Sequence, residues 1–179
     1  MLWGETRHAI RDRLREQLPG SPEATVEIVE FVRQPEPIGA IGLTAKSVIA
    51  VGSGKGGVGK STMAVSLAMA LKGAGSKVGL MDADVYGPSV PHLLGLTGQP
   101  MVSNGKLQPV DCNGMPVMSM AFLVPKEEAV VWRGPMLHGA ITQFLRDTAW
   151  GDLDYLIIDM PPGTGDIALT LSQAIPLTG

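Results

Sequence analysis

Two lysines stand five positions apart in the stretch SGKGGVGKST, residues 53 to 62, among residues that are otherwise mostly glycine. Gly54, Gly59, Lys60 and Ser61 fit the spacing G-x-x-x-x-G-K-[ST]. Glycines at these positions let consecutive backbone N–H groups turn inward around a phosphate, and a helix that follows adds the partial positive charge of its N-terminus. Lys60 is expected to reach the β- and γ-phosphates of a nucleotide, and Ser61 to offer its hydroxyl to Mg2+. Gly54, Lys55, Gly56, Gly57, Val58, Gly59, Lys60, Ser61 and Thr62 form the candidate nucleotide-binding loop. A turn that merely brought strand and helix together would not require Lys60-Ser61. One lysine suffices to hold a phosphate, which leaves the role of Lys55 to be explained.

A metal-bound phosphate also calls for a carboxylate, and YLIIDMPPGTGD puts Asp159 at the end of an apolar run, the Walker B arrangement. Asp82 and Asp84 end an earlier apolar run, where loops at the carboxyl edge of a parallel sheet converge on a ligand. Ser61, Asp82 and Asp159 are the candidate Mg2+ residues, and one of Asp82 and Asp84 is expected to orient an attacking water. Each aspartate alone would also suit a loop start or a helix cap; three at strand ends suit a site. Gly163, Thr164 and Gly165 form a flexible stretch able to sense a γ-phosphate. Asp166 suits the cap of a following helix.

These groups need a scaffold. SVIAV (47 to 51), KVGLMD (77 to 82) and DYLIID (154 to 159) read as buried strands. Met63, Leu67 and Leu71, with Ala64 and Ala68, mark a helix between the first two, ending near Gly73 and Gly75. Strand, helix, strand in this rhythm implies right-handed crossovers and a mainly parallel sheet flanked by helices, an α/β fold. Asn113-Gly114 predicts a hairpin within 106 to 120, and Pro135 after Gly134 opens a helix running to about Thr148. Upstream, Trp3, Ile10, Leu14 and Leu18 share a helical face over residues 5 to 18, and ATVEIVEFV (24 to 32) is strand-like. A helix and one strand cannot cover their own apolar faces, so residues 1–32 are expected to be part of a small α/β domain. RQPEPIGAIGLTA (33–45) is the expected linker, and 46–179 the phosphate-binding domain.

The 179 residues are 45% hydrophobic with a net charge of −3, enough for one substantial core and without the basic excess of a nucleic-acid or membrane-surface binder. A single cysteine, Cys112, excludes an internal disulfide and fits a reducing cytosol. No apolar run is long enough to span a bilayer and no secretory signal pattern opens the chain. His8, His92 and His138 lack metal-ligand spacing, and Met101, Met115, Met118 and Met120 read as core fillers.

KGGVGKS, with Lys55 ahead of the usual motif, resembles the deviant Walker A loop of MinD, ParA and ArsA-type ATPases. Within that class MDADVYGPSVPHLLGL, WRGPMLHGAITQFL and DYLIIDMPPGTGDIALTLSQ resemble the Mrp/ApbC family of ATP-binding iron–sulfur cluster carriers, over about residues 46 to 178. The segment before residue 33 resembles the tail of the small iron–sulfur-assembly domain that often precedes the ATPase. The resemblance implies ATP and Mg2+ as cofactors, a cytoplasmic homodimer in the full-length parent, and recipient iron–sulfur proteins as partners, with neither nucleic acid nor membrane. It implies that Lys55 reaches the partner subunit's nucleotide, that Lys60 serves its own, and that Asp84 is the catalytic aspartate that positions water.

Members of that family carry a Cys-x-x-Cys pair well downstream of Walker B, a region the sequence does not reach, so the chain is expected to be truncated and to hold no iron–sulfur ligands of its own. Two rival readings are a MinD/ParA-type partitioning ATPase and an inactive fragment keeping only part of a nucleotide site. Tyr86 to Ser89 and the stretch from 160 to 166 disfavour the first. Arg133 in WRGP has an open role, contacting phosphate or tying its loop to the sheet.

Overall fold

The computed structural model describes residues 2–17, 25–27, 29, 34–38, 42–85, 87–122, 134–163 and 177–179. The chain divides into two units, Met1–Arg33 and Gln34–Gly179. In the first, α1 spans Leu2–Gln17, three residues earlier than the apolar spacing from 5 to 18 suggested. Of the strand-like stretch 24 to 32, residues 25–27 and 29 carry no regular structure, and its other residues lie outside those described.

The second unit contains β1 (Glu36–Ile38), β2 (Leu43–Val51), α2 (Lys60–Gly73), β3 (Val78–Asp82) and α3 (Val90–Leu93). It continues with β4 (Met101–Ser103), β5 (Lys106–Gln108), β6 (Val110–Cys112) and β7 (Met115–Ser119). A 3-10 turn (Met120–Phe122), α4 (Gly134–Asp147) and β8 (Leu153–Asp159) complete it. Six strands form one sheet in the order β1-β2-β8-β3-β7-β6; β4 and β5 make a separate hairpin. The four central strands are parallel and the two outer ones antiparallel. The expected linker is therefore partly strand: Glu36, Pro37 and Ile38 pair with Ala45, Thr44 and Leu43. Pro37 disguises it, since proline gives no ladder N–H, but an edge strand tolerates that loss.

Both faces of the sheet are covered, so successive residues of one strand enter different cores. Leu156 and Ile158 join Met81, Met118, Ile141, Phe144 and Leu145 on the α4 side. Ile157 joins Leu80, Val117, Ala64 and Ala68 on the α2 side. The buried face of α2 is made by the two alanines, whereas Met63 is 64% exposed. Small side chains let the helix lie close to the strands. Of the four methionines expected in the core, Met115, Met118 and Met120 are buried and Met101, on the β4–β5 hairpin, is exposed. Asn113 (φ 52°) and Gly114 (φ 86°) make the hairpin turn between β6 and β7, with left-handed backbone at both central residues.

Gly79 in β3 supplies a close approach. A Cβ there would lie 2.8 Å from Leu153 Cδ1 and 3.2 Å from Trp150 Cε3. Nearby, Lys46 Nζ is 2.8 Å from Asp154 Oδ1 and the Lys77 N–H donates to Asp154 Oδ2 at 2.7 Å. The Lys46 hydrogen bond, then the Lys77 amide, hold the Asp154 carboxyl below the usual carboxylate range.

Candidate functional site

Three backbone hydrogen bonds stitch together the strand ends that carry the candidate residues. The Ala83 N–H donates to the Asp159 carbonyl, Met160 to Val51 and Gly163 to Ser53, at 2.9, 2.9 and 2.8 Å. The loop after β2, the Asp82–Asp84 corner and the segment after Asp159 thus meet at the carboxyl edge of the parallel strands.

The loop that follows β2 turns through left-handed backbone at Gly57 (φ 73°) and Gly59 (φ 88°) before α2 begins at Lys60. The first helical hydrogen bond runs from Met63 N to Gly59 O, and no side chain caps the helix. The N–H groups of Lys60, Ser61 and Thr62 consequently have no intrahelical acceptor. They border a cleft of about 510 Å3 lined by Ser53 and, from the loop and helix, Gly56, Gly57, Gly59, Lys60, Ser61 and Thr62. Asp84, Gly87, Ser89, Leu93 and Pro162 complete the lining. Gly54, Lys55 and Val58 belong to the same loop, are exposed, and do not line the cleft.

Lys60 Nζ is 2.5 Å from Asp159 Oδ1, 3.2 Å from Ser61 Oγ and 3.9 Å from Asp84 Oδ2. The lysine and Asp84 side chains are nearly buried and Asp159 is fully so. The structure therefore brings together Lys60, Ser61, Asp84 and Asp159. Asp159 Oδ2 is buried without a hydrogen-bond partner. That acceptor, the adjacent Ser61 hydroxyl and the inward N–H groups are the donor and acceptor set that Mg2+ and phosphate oxygens require. Among the described residues no group of three or more His, Cys, Asp or Glu is placed to hold a metal ion.

Asp82, expected among the Mg2+ residues, is like Asp159 absent from the cleft lining, but both its oxygens are engaged: they accept three hydrogen bonds of 3.1 Å, Oδ1 from the Asp84 N–H, Oδ2 from the Val90 N–H and the Ser119 hydroxyl. Burial raises its pKa to about 6, against the lowering effect of the Val90, Asp84 and Ser119 bonds, and the Asp159 charge raises it further. Asp84 in turn accepts from the Gly87 N–H at 3.1 Å. Ser119, which the motifs did not single out, ends β7 as Asp82 ends β3, and the two are paired in register. A polar residue closing the apolar run VMS was the available signal.

Gly163 has φ 100°; Tyr86, Arg133, Thr164, Gly165 and Asp166 lie outside the described residues. Cys112 is buried and free. His8 and His92 are exposed, on α1 and α3.

The sequence model of the family described as ParA, the NUBPL iron-transfer P-loop NTPases, matches residues 44–179. The chain belongs to this family. Among curated relatives of this NUBPL-type chain, an iron–sulfur cluster carrier protein of Deinococcus radiodurans is 52% identical over 181 residues, covering 99% of the chain and 51% of the relative. One of Escherichia coli K12 is 55% identical over 136 residues, covering 75% of the chain and 37% of the relative. The chain thus spans about half or less of the length of these carriers. A nucleotide-binding protein from Archaeoglobus fulgidus, solved in complex with ADP, superposes with a TM-score of 0.63 at 48% identity, over 73% of this chain and 51% of that one. The family and the parallel sheet agree with the P-loop fold and the carrier resemblance read from the motifs.

Proposed function

We propose that the chain is the nucleotide-handling part of an ATP-binding, ATP-hydrolysing iron–sulfur cluster carrier that delivers clusters to recipient proteins in the cytosol. The observation that carries this reading is the convergence of Lys60, Asp159 and Asp84 on the phosphate loop, within 3.9 Å of the lysine ammonium. The named carriers and the ADP-bound relative support it.

In this reading the N–H groups of residues 57 to 62 cradle the phosphates, and Lys60 supplies a charge-assisted contact to their outer oxygens. Ser61 and Asp159 would hold Mg2+, the carboxylate through the metal's water shell, and the bound cation would offset phosphate charge. Asp84, which lines the cleft, orients the attacking water. Because phosphoryl transfer needs positioning and charge stabilisation more than covalent chemistry, four placed side chains and a loop suffice.

Lys55 points the reading toward a homodimer. It is exposed on the loop yet absent from the cleft lining, and Val58 on the same loop, Met63 on α2 and Leu93 on α3 are 51%, 64% and 44% exposed. Exposed apolar side chains and an exposed loop cation fit closure of a second subunit over the phosphates, with Lys55 serving the neighbour's nucleotide. The cluster is cargo. Its thiolates are assigned to residues other than Cys112, a lone buried thiol. Among the described residues no helix is long and apolar enough to cross a membrane.

Thermal unfolding with and without Mg-ADP tests the nucleotide reading, since a ligand that binds only the folded state must raise Tm. A rise of several degrees, accompanied by phosphate release from ATP, is expected. An unchanged Tm at saturating nucleotide would overturn it.

A further inference from the structure

Asp159, Asp82 and Ser119 form one row across the ends of three neighbouring parallel strands, in register from β8 to β3 to β7. The first meets the Lys60 ammonium at 2.5 Å. The other two face each other: the Ser119 hydroxyl donates to Asp82 Oδ2 and accepts from the Ala121 N–H, both at 3.1 Å. Asp82 also holds the Asp84 amide at one end of the corner and the Val90 amide at the other. A continuous path of hydrogen bonds thus joins the turn after β7 to the segment from 84 to 90, which lines the cleft through Asp84, Gly87 and Ser89.

We propose that Asp82 and Ser119 are a positioning pair: they set Asp84 at its place in the cleft and couple that place to the turn at Met120–Phe122. This rests on the nucleotide reading above. The asymmetry of contacts supports it, because Asp82 touches the corner at both ends while contributing nothing to the cleft wall. Asp82 and Ser119 are both 0% exposed, so their hydrogen bonds are not exchanged with water and fix the backbone rather than follow it. An aspartate meant only to cap α3 would have no need of the bond to Asp84, nor of a serine tying it to the next strand.

The test is Ser119→Ala, a small change in a packed site, with Asp82→Asn as a second variant. Three readouts are compared with wild type: affinity for fluorescent Mg-ADP, steady-state ATP turnover, and amide exchange at residues 84, 90 and 121. Affinity is expected to stay within about two-fold because the loop and Lys60 are untouched, while turnover falls about ten-fold or more as Asp84 loses its fixed position. Amide exchange at all three positions is expected to accelerate together, and Ser119→Thr, which keeps the hydroxyl, to restore both slower exchange and turnover. Unchanged turnover and exchange in Ser119→Ala would overturn the proposal, as would an equal loss of affinity and turnover. If wild type itself neither binds nor hydrolyses nucleotide, the functional reading fails, and amide exchange alone then decides whether the pair couples the two segments.

Discussion

Lys60 and Asp159 are ninety-nine residues apart in sequence, yet the lysine ammonium lies 2.5 Å from Asp159 Oδ1 and both side chains are shielded from solvent. One oxygen of the aspartate is engaged by the lysine and the other, Oδ2, has no partner. A carboxylate so divided can serve a metal's water shell while steering the cation that binds phosphate.

Replacing Asp159 by Asn is expected to weaken nucleotide binding about ten-fold in Mg2+ and no more than about two-fold in EDTA, since on the proposed reading the carboxylate acts through the metal. Titration of a fluorescent nucleotide in the two conditions checks this. Equal losses would indicate damage to the fold instead.

The two lysines are expected to separate binding from turnover. Lys60→Ala removes a charge-assisted contact, of roughly 1.5 to 3 kcal/mol, so affinity falls about ten-fold or more. Lys55→Ala is expected to leave the affinity of dilute protein unchanged and to abolish hydrolysis, since on the proposed dimer reading charge develops on the phosphates between two subunits. Turnover across a protein-concentration series distinguishes them. Normal hydrolysis by Lys55→Ala would leave that lysine a spare.

Asp82 gives a pH signature. Its folded pKa of about 6 lies above the ordinary value of 3.8, so the folded chain holds a proton that the unfolded chain has released. The stability this adds is complete below the unfolded value and is lost as pH rises through the folded one. Between about pH 5 and pH 7.5 the wild-type chain is expected to lose about 1.4 kcal/mol relative to Asp82→Asn, one pKa unit's worth. Urea unfolding of both proteins at the two pH values measures the difference. A gap that stays constant, or widens in favour of wild type, contradicts the assignment.

Gly79→Ala is expected to destabilise the sheet by about 1 to 3 kcal/mol, the usual cost of overpacking a filled core. The new methyl would meet Leu153 and Leu156 side chains and the Trp150 ring. Chemical denaturation reports the loss, and Trp150 emission is expected to shift with it.

The phosphate loop was legible because its chemistry is written in consecutive residues, and Asp159 and the Asp82–Asp84 corner because each closes an apolar run. Ser119 closes one too, but its importance depends on which strand lies beside which, and the register of β7 against β3 has no local signature. The same reason hid the surroundings of Asp82, whose partners at Val90 and Ser119 are eight and thirty-seven residues away. On α2, hydrophobicity pointed to Met63, whereas close packing selected Ala64 and Ala68. Asn104-Gly105 turns β4 into β5 with φ of 52° and 73°, the signal that betrayed Asn113-Gly114, and was readable by the same rule.

Strand order also governs when the site can exist during synthesis. β8 lies between β2 and β3, which do not pair with each other. The phosphate loop and the Asp82 corner therefore have no shared backing until residues 153–159 have left the ribosome and inserted between them. Nascent chains stopped before β8 carry every loop residue and lack the partner strand that sets their spacing, a late, long-range closure of the kind that slows folding. Protease sensitivity of stalled chains is expected to drop, and nucleotide protection to appear, only once β8 has emerged. Translation thus withholds competence for nucleotide until the central strand arrives.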